Sequence, residues 1–177
     1  MKILLATILL VSSTFAADKA AITRSLAACG PLDIRFDVTA EENQHPTGQP
    51  EEGKALVYVV QDGEFICLLC STTTRVGEDG KWVGANDGQS YFYFYVTPGE
   101  HHFCTDQQTK SEDNRIAALA PLTAEPGKTY YFRARVRLRF ERERDERVWI
   151  LDLDPINSDE GQLLVASSNF STWRMKK

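Results

Sequence analysis

Three short turn segments divide much of this sequence into runs of β-branched and aromatic residues. They are Asp79-Gly80-Lys81, Thr97-Pro98-Gly99 and Glu125-Pro126-Gly127. Glycine and proline end extended runs, because glycine accepts a positive φ and proline lacks the amide hydrogen that the interior of a sheet or helix requires. Closely spaced turns between short extended segments are typical of a compact all-β domain.

The residues between these turns alternate with a period of two. Residues 91–96 place three tyrosines on one face and Phe92, Phe94 and Val96 on the other, and residues 130–140 alternate apolar side chains with arginines. Such alternation predicts strands with two different faces, and the continuous apolar run at residues 55–61 predicts a strand covered on both. Further strands are predicted at residues 32–38, 65–70, 72–76, 82–83, 101–105 and 148–153.

This pattern predicts an all-β fold: an antiparallel β-sandwich, immunoglobulin-like or transthyretin-like, with about seven to nine strands. A short helix is predicted near the C-terminus at residues 158–166, where Ser158-Asp159-Glu160 supplies capping and acidic residues. We expect a single sandwich domain over residues 53–177. Residues 17–52 contribute an N-terminal strand and a polar loop that packs on this domain.

The N-terminus has the three parts of a secretory signal peptide. A basic Lys2 precedes an apolar run at residues 3–11, and small residues continue to Ala16, where we expect cleavage. Residues 1–16 are therefore interpreted as the signal peptide. The apolar run is shorter than the ~20 residues of a membrane span, so we expect an exported protein, periplasmic or extracellular, with no transmembrane segment.

Leu26-Ala27-Ala28-Cys29 resembles a bacterial lipoprotein box, at which the cysteine is acylated. Such a box directly follows the apolar run of its signal peptide, whereas Asp18, Lys19 and Arg24 intervene here. We therefore expect Cys29 to be an ordinary cysteine of the folded domain. Any association with the envelope would then be peripheral.

The charge balance bears on the class of partner. The chain has 20 basic and 25 acidic residues and a formal net charge of −5, and removal of Lys2 with the signal peptide makes it more acidic. Binding to a phosphate backbone requires clustered positive charge. The composition therefore argues against a nucleic-acid partner.

The four cysteines, Cys29, Cys67, Cys70 and Cys104, all follow the predicted cleavage site. Export places them in a compartment where disulfides persist, so we expect two bridges. Four cysteines allow three pairings, and the sequence does not choose among them. A bridge from Cys67 or Cys70 to Cys104 or Cys29 would tie neighbouring strands together.

A zinc site or a redox dithiol is the alternative interpretation of these cysteines. Cys67 and Cys70 form a CxxC pair that could join His101, His102 and Cys104 as ligands. Two features argue against it. Alternation along a strand directs neighbouring side chains such as the two histidines to opposite faces, and a redox CxxC begins a helix, of which there is no pattern after Cys70. Our prediction includes no cofactor, no metal and no catalytic residue.

The tyrosine face of residues 91–96 is a candidate binding surface. Exposed rings of Tyr91, Tyr93 and Tyr95 would offer flat apolar area with polar tips to a sugar or a peptide. The alternative is that these rings pack under another strand or under the N-terminal segment.

Arginines form a second candidate surface. Arg133, Arg135 and Arg137 share one face of the 130–140 strand and could bind an anionic polymer or lipid headgroup. The alternative is cross-strand ion pairing, for which Asp152 and Asp154 are available on the next predicted strand.

Several segments in a fixed order resemble the bacterial family called domain of unknown function 2846. They are Lys54-Ala55-Leu56-Val57-Tyr58-Val59, Gly80-Lys81-Trp82-Val83-Gly84, residues 91–96, Pro98-Gly99-Glu100-His101 and Gly127-Lys128-Thr129-Tyr130-Tyr131-Phe132. The resemblance implies an exported or envelope-associated β-sandwich without an established activity. We therefore expect a non-catalytic bacterial envelope module that binds a protein or glycan, or has a structural role. The alternative is a zinc or thiol-redox protein that uses Cys67, Cys70 and Cys104.

Overall fold

The computed structural model describes residues 26–62, 72–108, 116–141 and 145–176. Within them the chain forms a 3-10 turn at Leu26–Ala28, ten strands and one α-helix. The elements are β1 (Arg35–Glu41), β2 (Ala55–Gln61), β3 (Thr73–Glu78), β4 (Lys81–Asp87), β5 (Ser90–Val96), β6 (Gly99–Gln107), β7 (Ala117–Ala124), β8 (Thr129–Glu141), β9 (Glu146–Ile156), α1 (Ser158–Ala166) and β10 (Asn169–Lys176).

The strands form two sheets. The larger sheet has the order β1-β10-β5-β2-β8-β9 and the smaller sheet the order β4-β3-β6-β7. The predicted all-β sandwich and its short C-terminal helix are therefore confirmed. Two pairs, β2 with β8 and β10 with β5, run parallel, whereas the pattern predicted antiparallel neighbours. Side-chain alternation reports which face is covered and carries no information about strand direction.

The main core lies between the sheets. Val57 and Val59 of β2 and Phe92 of β5 meet Phe103 of β6, which packs edge-on against Phe132 of β8 at 5.3 Å between ring centroids. The phenylalanine face of β5 is thus on the core side, as its alternation predicted. Every residue of β2 is buried, which confirms that this strand is covered on both faces.

Strand β10 is absent from our sequence prediction, because its many polar residues weaken the apolar alternation. It pairs with β1 along that strand's whole length and with β5 at two positions. Trp173 of β10 packs edge-on against Phe36 of β1, with the ring centroids 5.3 Å apart. The N-terminal strand is consequently the edge of the larger sheet.

Cys29 and Cys104 form a disulfide, with 5.0 Å between their Cα atoms. The bridge fixes the N-terminal turn to β6, and both cysteines are buried. The pairings of Cys67 or Cys70 with either of these residues are therefore wrong, and Cys67 and Cys70 themselves lie outside the described residues. The bridge favours the interpretation of Cys29 as an ordinary cysteine of the folded domain.

No helix in the described part of the chain is both long and apolar enough to cross a membrane.

Replacing both Cys29 and Cys104 with alanine should lower the free energy of unfolding by about 2–4 kcal/mol, because the bridge closes a long loop in the unfolded chain. The bridged residues are 75 positions apart. Denaturant titration of the oxidised protein measures the change. Replacing Cys29 alone should cost a similar amount, and a double variant as stable as the parent would contradict the prediction.

Candidate functional site

A groove lies on the outer face of the larger sheet, with a volume of about 560 Å³. Its floor comes from β2 and β8, one wall from the loop between β1 and β2, and the other wall from α1. We call it the tyrosine groove. Its lining residues are His45, Thr47, Gly48, Gln49, Pro50, Leu56, Tyr58, Thr129, Tyr131, Gln162, Val165 and Ala166.

Two stacked tyrosines form the floor. The parallel register of β2 and β8 places Tyr58 opposite Tyr131, and their rings stack with centroids 5.1 Å apart and planes 14° apart. Tyr58 is only 4% exposed, whereas Tyr131 is half-buried. Burial raises the pKa of Tyr131, and a hydrogen bond with the Gln162 side chain opposes this rise. The floor therefore presents an aromatic ring beside a hydrogen-bonding amide.

Tyrosine hydroxyls hold the loop wall in place. The Gly48 amide donates to the Tyr58 hydroxyl at 2.7 Å, and the Tyr91 hydroxyl donates to the Pro46 carbonyl at 2.9 Å. The Tyr95 hydroxyl donates to the Gln49 carbonyl at 3.1 Å. These bonds satisfy backbone groups of a segment without regular secondary structure. The wall is therefore held by hydrogen bonds to the tyrosines of the sheet.

The tyrosines predicted as a binding face underlie this wall. Tyr91 is fully buried, so the prediction that its ring is exposed for binding is wrong. Tyr93 and Tyr95 are half-buried, and Tyr93 packs against Tyr58 at 5.3 Å between ring centroids. The N-terminal segment covers these rings, as the alternative interpretation stated. Direct ligand contact by Tyr93 or Tyr95 stays a prediction.

The sequence analysis did not identify Tyr58 and Tyr131, the two aromatic residues of the floor. The alternation in β8 places Tyr131 on the face opposite Phe132, and the apolar run of β2 includes Tyr58. These signals place each tyrosine on a face of its own strand. Their meeting depends on the parallel pairing of β2 with β8, which alternation does not encode.

The helix wall begins at an N-cap and rests on Tyr131. The side chain of Asn157 accepts the Glu160 amide at 2.9 Å, which satisfies one of the free donors at the start of α1. Gly161 then lies so close to the floor that a Cβ atom at this position would be 2.2 Å from Cγ of Tyr131. The missing side chain allows the helix backbone to contact the ring directly.

Gly161→Ala should therefore destabilise the protein, although alanine favours a helix over glycine by ~1 kcal/mol. Overpacking against Tyr131 costs ~1–3 kcal/mol, so the free energy of unfolding should fall. Thermal and denaturant unfolding measure the sign. Leu163→Ala, on the exposed side of α1, is the control and should change stability by less than ~0.5 kcal/mol. A more stable Gly161→Ala variant would contradict this packing.

The arginines of β8 are paired with carboxylates. Arg137 lies 2.6 Å from Asp152 and Arg135 lies 3.8 Å from Asp154, both across the β8–β9 pair. Their face is thus neutralised by cross-strand pairing, as the alternative interpretation stated, which argues against the predicted anion site.

Arg133, the third arginine of that predicted site, lies 2.7 Å from Glu160 of α1. This ion pair links the helix wall of the groove to the sheet. The ion pair therefore helps to position α1. The Glu160 carboxylate already binds the Arg133 guanidinium, which an anionic ligand would need.

The predicted zinc cluster is not assembled as proposed. The sulfur of Cys104 is bonded to Cys29 and offers no thiolate to a metal. His101 is buried and His102 is exposed, which confirms that the two side chains lie on opposite faces of β6. The CxxC pair of Cys67 and Cys70 lies outside the described residues, so its redox role stays a prediction.

Because the phenol of Tyr91 is buried, the free energy of unfolding should depend on pH in the alkaline range. Burial, with smaller contributions from Tyr58 and Tyr93, raises the pKa of Tyr91 from 10.0 to about 12. The folded state holds the phenolic proton of Tyr91 more tightly than the unfolded chain does. The stabilisation that comes from the protonated phenol is therefore complete below pH 10 and is lost as the pH rises towards 12.

We expect the melting temperature to fall more steeply over this alkaline range in the parent protein than in Tyr91→Phe, which has no phenolic proton. Melting curves at a series of pH values, together with the near-ultraviolet absorbance of the phenolates, measure both effects. Identical pH slopes for the two proteins would contradict the assignment to Tyr91.

No protein-family model, curated protein or solved structure matches this chain. The likeness to domain of unknown function 2846 stays a prediction, and the arrangement of side chains carries the functional argument.

Proposed function

We propose that the protein is a non-catalytic, exported bacterial envelope module that binds a neutral glycan in the tyrosine groove. The observation that carries the proposal is the floor formed by Tyr58 and Tyr131, stacked 5.1 Å apart within a cavity of about 560 Å³. Small-ligand sites typically enclose ~300–1,000 Å³ and combine apolar surface with a few fixed polar groups.

The lining matches the two kinds of surface on a sugar ring. A pyranose has an apolar face of C–H groups, which packs on an aromatic ring, and an edge of hydroxyls, which needs donors and acceptors. Tyr131 supplies the part of its side chain that Tyr58 and Gly161 leave exposed. Thr47, Thr129 and Gln162 supply hydroxyl and amide groups to the lining.

The position of the groove favours a glycan over a peptide. An extended peptide usually binds by adding a strand to an exposed sheet edge. Strands β2 and β8 lie inside the larger sheet, where each is hydrogen-bonded to a strand on both sides. A ligand in this groove is therefore recognised by side chains and ring faces, which is how saccharides are bound.

The charge of the groove favours a neutral ligand. Among the described residues, its lining includes one imidazole, His45, and no carboxylate, lysine or arginine. Glycoside hydrolysis generally needs two carboxyl groups beside the scissile bond. The lining therefore supports binding without catalysis.

The loop wall supports a preorganised site. Hydrogen bonds to Tyr58, Tyr91 and Tyr95 hold the loop from within the protein itself. A wall that is already ordered reduces the conformational entropy lost on binding. Export is supported by the apolar N-terminal segment and by the Cys29–Cys104 bridge, since disulfides persist in oxidising compartments.

Titration calorimetry with neutral oligosaccharides, namely oligomers of N-acetylglucosamine and of glucose, tests the proposal. We expect one of the two series to bind with one ligand per chain. Tyr131→Ala should weaken that binding tenfold or more, because an aromatic anchor typically contributes ~2 kcal/mol or more.

Tyr130→Ala is the matched control, since it removes the neighbouring tyrosine from the opposite face of β8. It should retain the parent affinity, and circular dichroism should show that both variants are folded. If neither series binds, or if the two variants lose affinity equally, the groove is not a glycan site.

A further inference from the structure

A second group of side chains lies in the smaller sheet, away from the tyrosine groove. Glu78 ends β3, Asp79 follows in the β3–β4 turn, and His101 belongs to β6. One ligand atom from each residue, a carboxylate oxygen or a ring nitrogen, lies within 4.8 Å of the other two. Side chains of this kind are the ones that bind divalent metals.

The turn places Asp79 against β6. Asp79 has a φ of 46° and Gly80 a φ of 87°, a left-handed pair typical of a tight hairpin. The Asp79 amide donates to the His102 carbonyl, and the His102 amide donates to Oδ1 of Asp79, both at 3.0 Å. Oδ2 of Asp79 then faces Nδ1 of His101 at 3.4 Å.

The orientation of His101 is the feature that points to a cation. Its side chain is 9% exposed, and Nε2 lies 2.7 Å from the carbonyl oxygen of Thr97. A carbonyl only accepts hydrogen bonds, so this contact places a ring hydrogen on Nε2, and in the neutral ring Nδ1 then carries the lone pair. A metal-bound histidine usually has this arrangement, with its other nitrogen donating to a backbone carbonyl.

Nδ1 is buried and faces the two carboxylates. It lies 2.8 Å from Oε1 of Glu78, within ion-pair distance. In this tautomer a buried acceptor faces two carboxylates, which are also acceptors. A positive charge between them would remove the unfavourable interaction.

We propose that Glu78, Asp79 and His101 bind a divalent transition-metal cation, with zinc the best match. One imidazole nitrogen and two carboxylate oxygens leave a fourth position for water, as in zinc sites with three protein ligands. Calcium and magnesium prefer sites made wholly of oxygen, so the imidazole favours zinc. This site is independent of glycan binding.

The two distances from Nδ1 of His101 are close to those between the ligand atoms of a zinc site. Tetrahedral zinc, with bonds of ~2.0–2.2 Å, separates its ligand atoms by about 3.3 Å. The 3.4 Å between His101 and Asp79 matches, whereas Glu78, at 2.8 Å from His101, must withdraw by a fraction of this distance. Its side chain is 20% exposed, so the carboxylate is not fully enclosed.

A cavity of about 500 Å³ lies beside Asp79. Asp79 is one of its lining residues, together with His102, Phe103 and Leu119. Asp79 therefore connects the cluster to open space in which a metal-bound water can lie. The acidic net charge of the chain, −5, also favours the approach of a cation.

The test uses the oxidised full-length mature protein, freed of metal with a chelator and titrated with zinc chloride in a calorimeter. We expect one zinc ion per chain, a higher melting temperature with zinc and no comparable effect of magnesium. In nitrogen-labelled protein the His101 ring signals should shift on addition of zinc, which tests the site without any substitution.

Glu78→Gln and Asp79→Asn should each weaken zinc binding at least tenfold. Asparagine tolerates the positive φ of Asp79, so the turn should be retained. His45→Ala, which removes an exposed histidine elsewhere, is the matched control and should bind zinc as the parent does. The variant Cys67→Ser/Cys70→Ser should also retain the affinity, because the CxxC pair is not part of the proposed site.

Three results would overturn the proposal. One is the absence of zinc binding together with unchanged His101 signals, in which case Glu78 and His101 form only an ion pair. Another is zinc binding that survives both Glu78→Gln and Asp79→Asn. The third is binding that is lost in His45→Ala or in Cys67→Ser/Cys70→Ser, which would place the metal at those side chains.

Discussion

The burial of β2 on both faces is the constraint on which the rest of the structure depends. Val57 and Val59 face the smaller sheet, whereas Leu56, Tyr58 and Val60 face away from it. An apolar surface on the outer face of a sheet must itself be covered. The loop before β2 and the helix α1 provide this cover, and the tyrosine groove is the space between them.

Covering a sheet with an irregular loop creates a second requirement, because the backbone groups of the loop need partners. Tyr58, Tyr91 and Tyr95 meet it, since each has an apolar ring for the sheet and a hydroxyl for the loop. The arginines of β8 have a different role. Their ion pairs with β9 and α1 lie on a partly solvated face, where such pairs contribute little to stability.

The two proposed sites use opposite sides of one core. His101 stacks on Phe103 with the ring planes 9° apart, and Phe103 contacts Phe132 in the main core. Phe132 directly follows Tyr131, whose ring forms the floor of the groove. Both a candidate metal ligand and a candidate glycan-binding ring are therefore positioned by close packing rather than by mobile chain.

Side-chain alternation along the chain is enough to predict the fold class and the bounds of several strands. Residues 55–61 were predicted and observed as β2, and residues 91–96 differ from β5 by one position, because local alternation reflects the burial of each side chain. Strand β10 escaped prediction because its alternation is weak. The ion-pair alternative for the arginine face also followed from the sequence, through the acidic residues of β9.

Contacts between residues far apart in the chain depend on how the strands pair and pack. The Cys29–Cys104 bridge is one of several pairings that four cysteines permit, and the contact of Tyr58 with Tyr131 follows from a parallel pairing that side-chain periodicity does not record. The approach of Glu78 and Asp79 to His101 likewise depends on the register of β3 against β6. Periodicity shows which face of a segment is covered, and long-range packing determines what covers it.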